Sequence, residues 1–273
     1  MKRIMAAGQR GRVRIRELRE KKRRGERIAV LTAYDAAFAR LLDEAGVDVL
    51  LVGDSVGMVM LGYETTIPVT LDEMLHHTKA VTRAARHALV VADMPFLTFQ
   101  ISVSEAVRNA GRLIKEGGAA AVKVEGGRAV LDVVRRLVSV GIPVMGHLGL
   151  LPQSVHQLSG YRQQAKTSSE AETLLEDAVA LDEAGVFAIV LESIPDEVAA
   201  AATAKVSAPT IGIGAGPHCD GQVLVCHDAF GLSGAASPPF AKRYAELGEL
   251  VSSAARDYVN EVRTGVFPTA AKR

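Results

Sequence analysis

Short apolar segments rich in Val, Ile, Leu and Ala recur along this chain, most of them about 20 to 40 residues apart, with longer amphipathic stretches between. Eight can be placed: IAVLTAY (28–34), VLLVGDS (49–55), LVVADMPF (89–96), AVKVEGG (121–127), IPVMGHLGL (142–150), FAIVLESI (187–194), PTIGIGAG (209–216) and QVLVCHDAF (222–230). Such alternation signals βα units around a parallel sheet, and near-continuous apolar runs suit strands covered on both faces. The stretches between them predict helices over 36–45, 70–86, 104–116, 129–140, 169–184 and 195–204. Start and stop signals support these spans: Thr70 with Glu73 reads as a capping box, and Gly46, Gly117, Gly141 and Gly185 follow helix ends. A last amphipathic helix is predicted over about 241–264, placed either to close the barrel or to pack on a neighbouring subunit.

Eight strands with intervening helices predict an α/β chain folded as a single-domain (β/α)8 TIM barrel, and 273 residues fit the roughly 250 such a domain needs. The link between the seventh and eighth strands is short for a full helix. Residues 28–273 are read as the barrel with its C-terminal helix, and residues 1–27 as a basic, helical N-terminal extension. That extension holds 12 Lys and Arg against 3 acids, leaving 20 against 28 for the remainder. Clustered cations neutralise phosphates, so a nucleic-acid arm is one reading. Glu17 and Glu20 with apolar Val13, Ile15 and Leu18 favour the other, a short helix with a solvated face leading into the first strand.

With 48% apolar and 23% charged residues the composition is that of a soluble globular protein, and no apolar run approaches the roughly 20 residues a bilayer requires. The basic start lacks the apolar core and cleavage site of a secretion signal, and Cys219 and Cys226 show no zinc spacing. A cytoplasmic protein with no membrane and no nucleic-acid partner is the expectation.

The chemistry lies at the strand ends, because the C-terminal ends of barrel strands converge on one mouth. There the chain sets Asp54 and Ser55, Asp93, Lys123 and Glu125, His147, Glu192, and His227 with Asp228. Buried acids are costly unless paired, hydrogen-bonded or bound to a cation. For any one acid alone a helix cap or an ion pair with Arg suffices. Three on adjacent strands, Asp54, Asp93 and Glu125, point instead to an oxygen-rich site for Mg²⁺ or a similar hard cation. Lys123 lies two residues before Glu125 and so on the same face, where it can hold a substrate carboxylate, stabilise a developing enolate or neutralise the acids. Ser55 can donate to a bound carboxylate or cap a turn.

Glu192, across the mouth in the apolar context IVLESI, is the expected general base. His147 and His227 read either as structural groups or as catalytic ones. GIGAG resembles glycine-rich ligand loops but lacks full GxGxxG spacing and a following lysine, so close packing is the equal alternative. The 18-residue stretch from Leu151 to Ser168 is long and polar for a βα connection, as a lid would be.

Taken together, TAYDAAFA (32–39), LVGDSVGMVMLGYETTIPVT, VADMPF, VKVEGG, VMGHLGLLPQSV, GYRQQ, VLESIP, IGIGAG and VCHDAFG (225–231) resemble the ketopantoate hydroxymethyltransferase family over nearly the full length. VGDS with the GxxxxGYxxTxPVT stretch, and GHLGLxPQS, are the specific parts. The resemblance implies a Mg²⁺-dependent barrel, one ion per subunit, that carries a one-carbon unit from 5,10-methylenetetrahydrofolate to 3-methyl-2-oxobutanoate, giving 2-dehydropantoate. It implies a metal set of Asp54, Asp93 and Glu125, keto-acid contacts from Asp54, Ser55, Asp93 and Lys123, Glu192 as proton acceptor, and a homodecamer. It assigns no folate contacts. Phosphoenolpyruvate mutase and isocitrate lyase relatives are the rival barrels, but their cysteine-containing KKCGH-like loop has no counterpart here.

Overall fold

The computed structural model describes residues 11–234 and 237–269. It divides into two compact units, one ending at Leu224 and the other beginning at Val225. The first unit holds α1 (Ile15–Arg24), β1 (Ile28–Thr32), α2 (Ala36–Ala45), β2 (Val49–Val52), α3 (Val56–Val59), α4 (Leu71–Ala84), β3 (Leu89–Asp93), α5 (Val103–Lys115) and β4 (Ala121–Glu125). It continues with α6 (Leu131–Ser139), β5 (Val144–Gly149), α7 (Ser168–Glu183), β6 (Ala188–Glu192), α8 (Asp196–Lys205), β7 (Thr210–Ile213) and β8 (Gly221–Leu224). All eight strands are parallel and close in sequence order, β8 pairing with β1. The (β/α)8 barrel read from the sequence is therefore the fold.

Local signals account for the helices. The Thr70–Glu73 capping box opens α4, Thr167 with Glu170 does the same for α7, and Gly46 takes the left-handed conformation that ends α2. Residues 214–220 join β7 to β8 without a helix, as the short link required.

Inside the barrel, Val30, Val49, Leu51, Val91, Ala121, Met145, Val190, Ile211 and Val223 form one apolar cluster. That cluster includes Val13 and Leu18, so the N-terminal helix is more than a solvated lead-in. Leu18 is 1% exposed and closes the N-terminal end of the barrel, where the strand interior would otherwise meet water. Its cations turn inward as well: Lys21 Nζ lies 2.8 Å from Asp48 Oδ1, and Lys22 Nζ 3.0 Å from Asp220 Oδ2. Lys22 also donates to the Thr203 and Ala208 carbonyls, and Arg19 to the Val186 carbonyl.

The second unit contains α9 (Cys226–Ala229) and α10 (Leu247–Thr264). None of the residues of α10 is buried, and Leu250, Val251, Val259 and Val262 are exposed on it. Among the described residues no helix is long and apolar enough to cross a membrane.

Candidate active site

Strand register assembles the mouth. Side chains alternate across a strand, so residues two apart share a face, and residues opposite each other on neighbouring parallel strands point the same way. Val91 and Ala121 face the interior, as do Met145 and Val190. Continuing to the C-terminal ends, Asp93 stands opposite Lys123, Glu125 opposite His147, and Gly149 opposite Glu192. All but Gly149 carry side chains to the same end of the interior.

Asp54 and Ser55 lie just beyond β2, which ends at Val52, in a turn running into α3. Gly53 leaves room there: a Cβ would stand 2.8 Å from Ser55 Oγ and 3.5 Å from Asp93 Oδ2. This close approach lets the Asp54 amide donate to Asp93 Oδ2 at 3.0 Å. Ser55 Oγ is 2.7 Å from the hydroxyl of Tyr34, a buried residue whose carbonyl meets His77 Nδ1 at 2.7 Å.

Asp54, Asp93, Lys123, Glu125 and His147 are all buried. Lys123 Nζ lies 2.8 Å from Asp93 Oδ1 and 3.5 Å from Glu125 Oε1. Burial works against the ammonium, but Asp93, Glu125 and Asp54 outweigh it and raise its pKa. Glu125 is likewise opposed by burial, yet Lys123, His147 and the Gln153 amide hold its carboxyl below the usual range. Asp54 goes the other way: burial first, then the charges of Asp93 and Glu125, push it well above an ordinary carboxylate.

His147 bridges the two sides of the mouth. Its Nδ1 lies 3.2 Å from Lys123 Nζ and 3.4 Å from Glu125 Oε1, and its Nε2 lies 3.1 Å from Glu192 Oε2. Burial and Lys123 disfavour its charged form, but Glu125 and Glu192 prevail and raise its pKa to about 9. Gly149 makes room on the Glu192 side. Its φ of +93° places its Cα against the Glu192 carbonyl, which accepts from the Leu150 amide at 2.8 Å.

Two polar groups at the site went unassigned in the sequence, Gln153 and Tyr34. Gln153 sits in the 3-10 turn Pro152–Ser154 that follows β5 and donates to Asp54 Oδ2 at 2.9 Å. Its signal was the PQS of GHLGLxPQS, a polar residue on a loop crossing the strand ends. The remainder of that loop is half-exposed at Tyr161, whose hydroxyl donates to Met58 Sδ at 3.5 Å. Burial and the charges of Asp54, Glu192 and Glu125 raise the Tyr161 pKa, so the ring stands within electrostatic reach of the acids.

Two sequence readings are sharpened or corrected. The eighth strand stops at Leu224, and His227 and Asp228 lie in α9, a helical turn of the second unit. Asp228 accepts there from Ser237 at 3.1 Å, and His227 Nδ1 is 3.3 Å from Cys226 Sγ. At GIGAG the structure shows close packing: a Cβ on Gly212 would press on Cys219 and Gln222, and one on Gly216 would collide with the Asp196 carboxylate. Both cysteines are free and buried.

The sequence pattern that defines the family described as Ketopantoate hydroxymethyltransferase matches residues 12–270. The chain belongs to this family. Among its relatives, the 3-methyl-2-oxobutanoate hydroxymethyltransferase of Moorella thermoacetica is 59% identical, covering 95% of this chain and 97% of the relative. That of Geobacter sulfurreducens is 56% identical, covering 93% and 96%. Membership of the hydroxymethyltransferase family makes the chain an enzyme. Among solved structures, phosphonopyruvate hydrolase in complex with oxalate and Mg++ superposes with a TM-score of 0.62 at 13% identity, covering 95% of this chain and 90% of that one. A 2,3-dimethylmalate lyase of the PEP mutase/isocitrate lyase superfamily gives 0.57 at 17%, covering 95% and 88%. At such identities the likeness shows the barrel fold alone.

Proposed function

We propose that this chain transfers a hydroxymethyl unit from 5,10-methylenetetrahydrofolate to 3-methyl-2-oxobutanoate, giving 2-dehydropantoate for pantothenate synthesis. Family membership over residues 12–270 supports the reaction, and one observation ties it to this chain's residues. A surplus of buried carboxylates faces a single carboxylate, Glu192, across the His147 bridge.

Whether that surplus fits Mg²⁺ can be judged from the donors. They are all oxygens, as a hard cation prefers. Asp93 Oδ1 is buried and accepts no aligned hydrogen bond, although Lys123 Nζ stands 2.8 Å away. Among the described residues no group of three or more His, Cys, Asp and Glu side chains forms a ready-made metal cage. Asp54, Asp93 and Glu125 would hold the ion. Once bound, it supplies a Lewis acid that draws electrons toward the keto oxygen of the substrate and so acidifies its C3–H.

The protein's own groups do the rest. Ser55, fixed by Tyr34, donates to the substrate carboxylate, and Lys123 places its ammonium beside the negative charge that develops on the keto oxygen. Glu192 takes the C3 proton, and the charge of His147, whose Nε2 lies 3.1 Å from Glu192 Oε2 without an aligned hydrogen bond, stands beside it. Water opens the folate-borne methylene to a formaldehyde unit, both carbon–nitrogen bonds breaking and the two folate nitrogens taking its protons. The enolate carbon then adds to the carbonyl carbon of that unit, and its oxygen takes the proton back from Glu192 to become the product hydroxyl. The loop 151–168 with Tyr161 at its exposed part is suited to cover these steps. The exposed apolar residues of α10 support a homo-oligomer, a decamer in this reading.

The deciding assay supplies 3-methyl-2-oxobutanoate and 5,10-methylenetetrahydrofolate with and without Mg²⁺. Formation of 2-dehydropantoate that EDTA abolishes and Mg²⁺ restores is the expected result. No product with Mg²⁺ present would reject the assignment.

A further inference from the structure

Gln153 makes more contacts to the acid set than any assigned function explains. It is 4% exposed and stands at the root of the 151–168 loop. Its side-chain Nε2 donates to Asp54 Oδ2 and to the Met94 carbonyl, each at 2.9 Å. Its backbone N–H donates to Glu125 Oε2 at 3.1 Å, and its Oε1 accepts from Gln100 Nε2 at 3.3 Å. One residue thus reaches the segments after β2 and β3 and the end of β4 from a loop after β5.

The orientation of this amide is fixed by its partners. Exchanging its oxygen and nitrogen would set acceptor against acceptor at both Met94 and Asp54. With both N–H bonds used, nothing else competes for Nε2. The contacts are also chemically selective. A Lys or Arg at 153 would compete with an incoming cation, whereas an amide supplies a hydrogen bond without adding positive charge. Asp54 and Glu125 are each gripped on one oxygen by the same residue, Asp54 at Oδ2 and Glu125 at Oε2, while Lys123 and His147 approach Glu125 at Oε1.

We propose that Gln153 is the positioning residue for divalent-cation capture, holding Asp54 and Glu125 in register with each other and tying the 151–168 loop to them. This rests on the Mg²⁺ reading above. Partners one shell behind metal ligands typically control about 10- to 100-fold in affinity. A loop anchored on the acids also makes cation capture and loop order two readouts of one contact.

Gln153→Met keeps the volume and the backbone N–H but removes the amide, and Gln153→Asn keeps the amide one methylene short. Mg²⁺ affinity is measured by titration calorimetry, and amide hydrogen exchange over residues 94–100 and 151–160 in the metal-free proteins. Gln153→Met is expected to weaken Mg²⁺ about 10- to 100-fold and to speed exchange in both segments, with Gln153→Asn intermediate. Unchanged Mg²⁺ affinity in a folded Gln153→Met overturns the proposal. If the wild type itself takes up no Mg²⁺, the metal reading fails, and exchange decides the positioning role: faster exchange upholds it and unchanged exchange overturns it. Loss of far-UV circular dichroism in both variants overturns it as well, by assigning Gln153 to the fold.

Discussion

The two ends of this barrel use the same materials to opposite purposes. At the N-terminal end, Lys21 and Lys22 on α1 meet Asp48 and Asp220 one to one, and Leu18 seals the interior. At the C-terminal end, Asp54, Asp93 and Glu125 crowd around one lysine and one histidine, and Asp54 is left with its carboxyl pushed well above the ordinary range by burial and its acidic neighbours. A one-to-one pair is settled and inert. An unbalanced set retains a demand for positive charge, which an incoming ion or substrate can meet. The difference teaches that buried charge alone does not mark an active site; unmet charge does.

That contrast is broken or sharpened most strongly at Glu192. Glu192→Gln keeps the shape of the side chain but cannot accept a proton. Turnover, and exchange of the C3 proton of 3-methyl-2-oxobutanoate with solvent, are expected to fall about 100- to 10,000-fold. Mg²⁺ and keto-acid binding and the melting temperature should stay near wild type. Exchange at the wild-type rate, followed by NMR in D₂O, would move the base elsewhere, His147 first.

The opposite end should answer in stability. Leu18→Ala removes a side chain that is 1% exposed within the barrel cluster, a change that costs about 2 to 5 kcal/mol. Chemical denaturation should register the loss, while kcat at 25 °C remains unchanged because Leu18 lies at the end away from the acids. A fall in kcat without a fall in stability would mean that α1 serves the mouth and not the seal.

Much of this arrangement was legible because parallel strands are buried on both faces, so an acid or lysine at the end of an apolar run stands out. Asp93, Lys123, Glu125, His147 and Glu192 are all visible in that way, and strand alternation already put Lys123 and Glu125 on one face. The ending of the eighth strand was not. The run QVLVCHDAF reads equally as a buried strand or as a strand followed by a buried helical turn, and an apolar run of this length cannot distinguish them. The inward-turned cations of α1 were hidden too, since Asp48 and Asp220 are distant in sequence and only barrel closure brings them together. Gln153 was hidden for a related reason. Its partners Asp54, Met94 and Glu125 lie at the ends of three different strands, and nothing in PQS announces which strand ends it spans.

The smallest expected effect is a pH slope in stability, and its sign separates the two ends again. His147 is raised to about 9 in the folded chain because Glu125 and Glu192 favour its charged form more than burial and Lys123 oppose it. A folded-state value above the usual 6.5 means that this contribution is fully present below about pH 6.5 and is lost as pH rises through about 9. One proton is involved, so the slope cannot exceed about 1.4 kcal/mol per pH unit. Thermal unfolding of metal-free wild type and His147→Gln at pH 6.5, 7.5 and 9 should show a wild-type advantage that shrinks steadily across the series. An advantage constant with pH would mean that His147 is neutral throughout, a spacer between Lys123 and Glu192 and not the charged link between the acid set and the base.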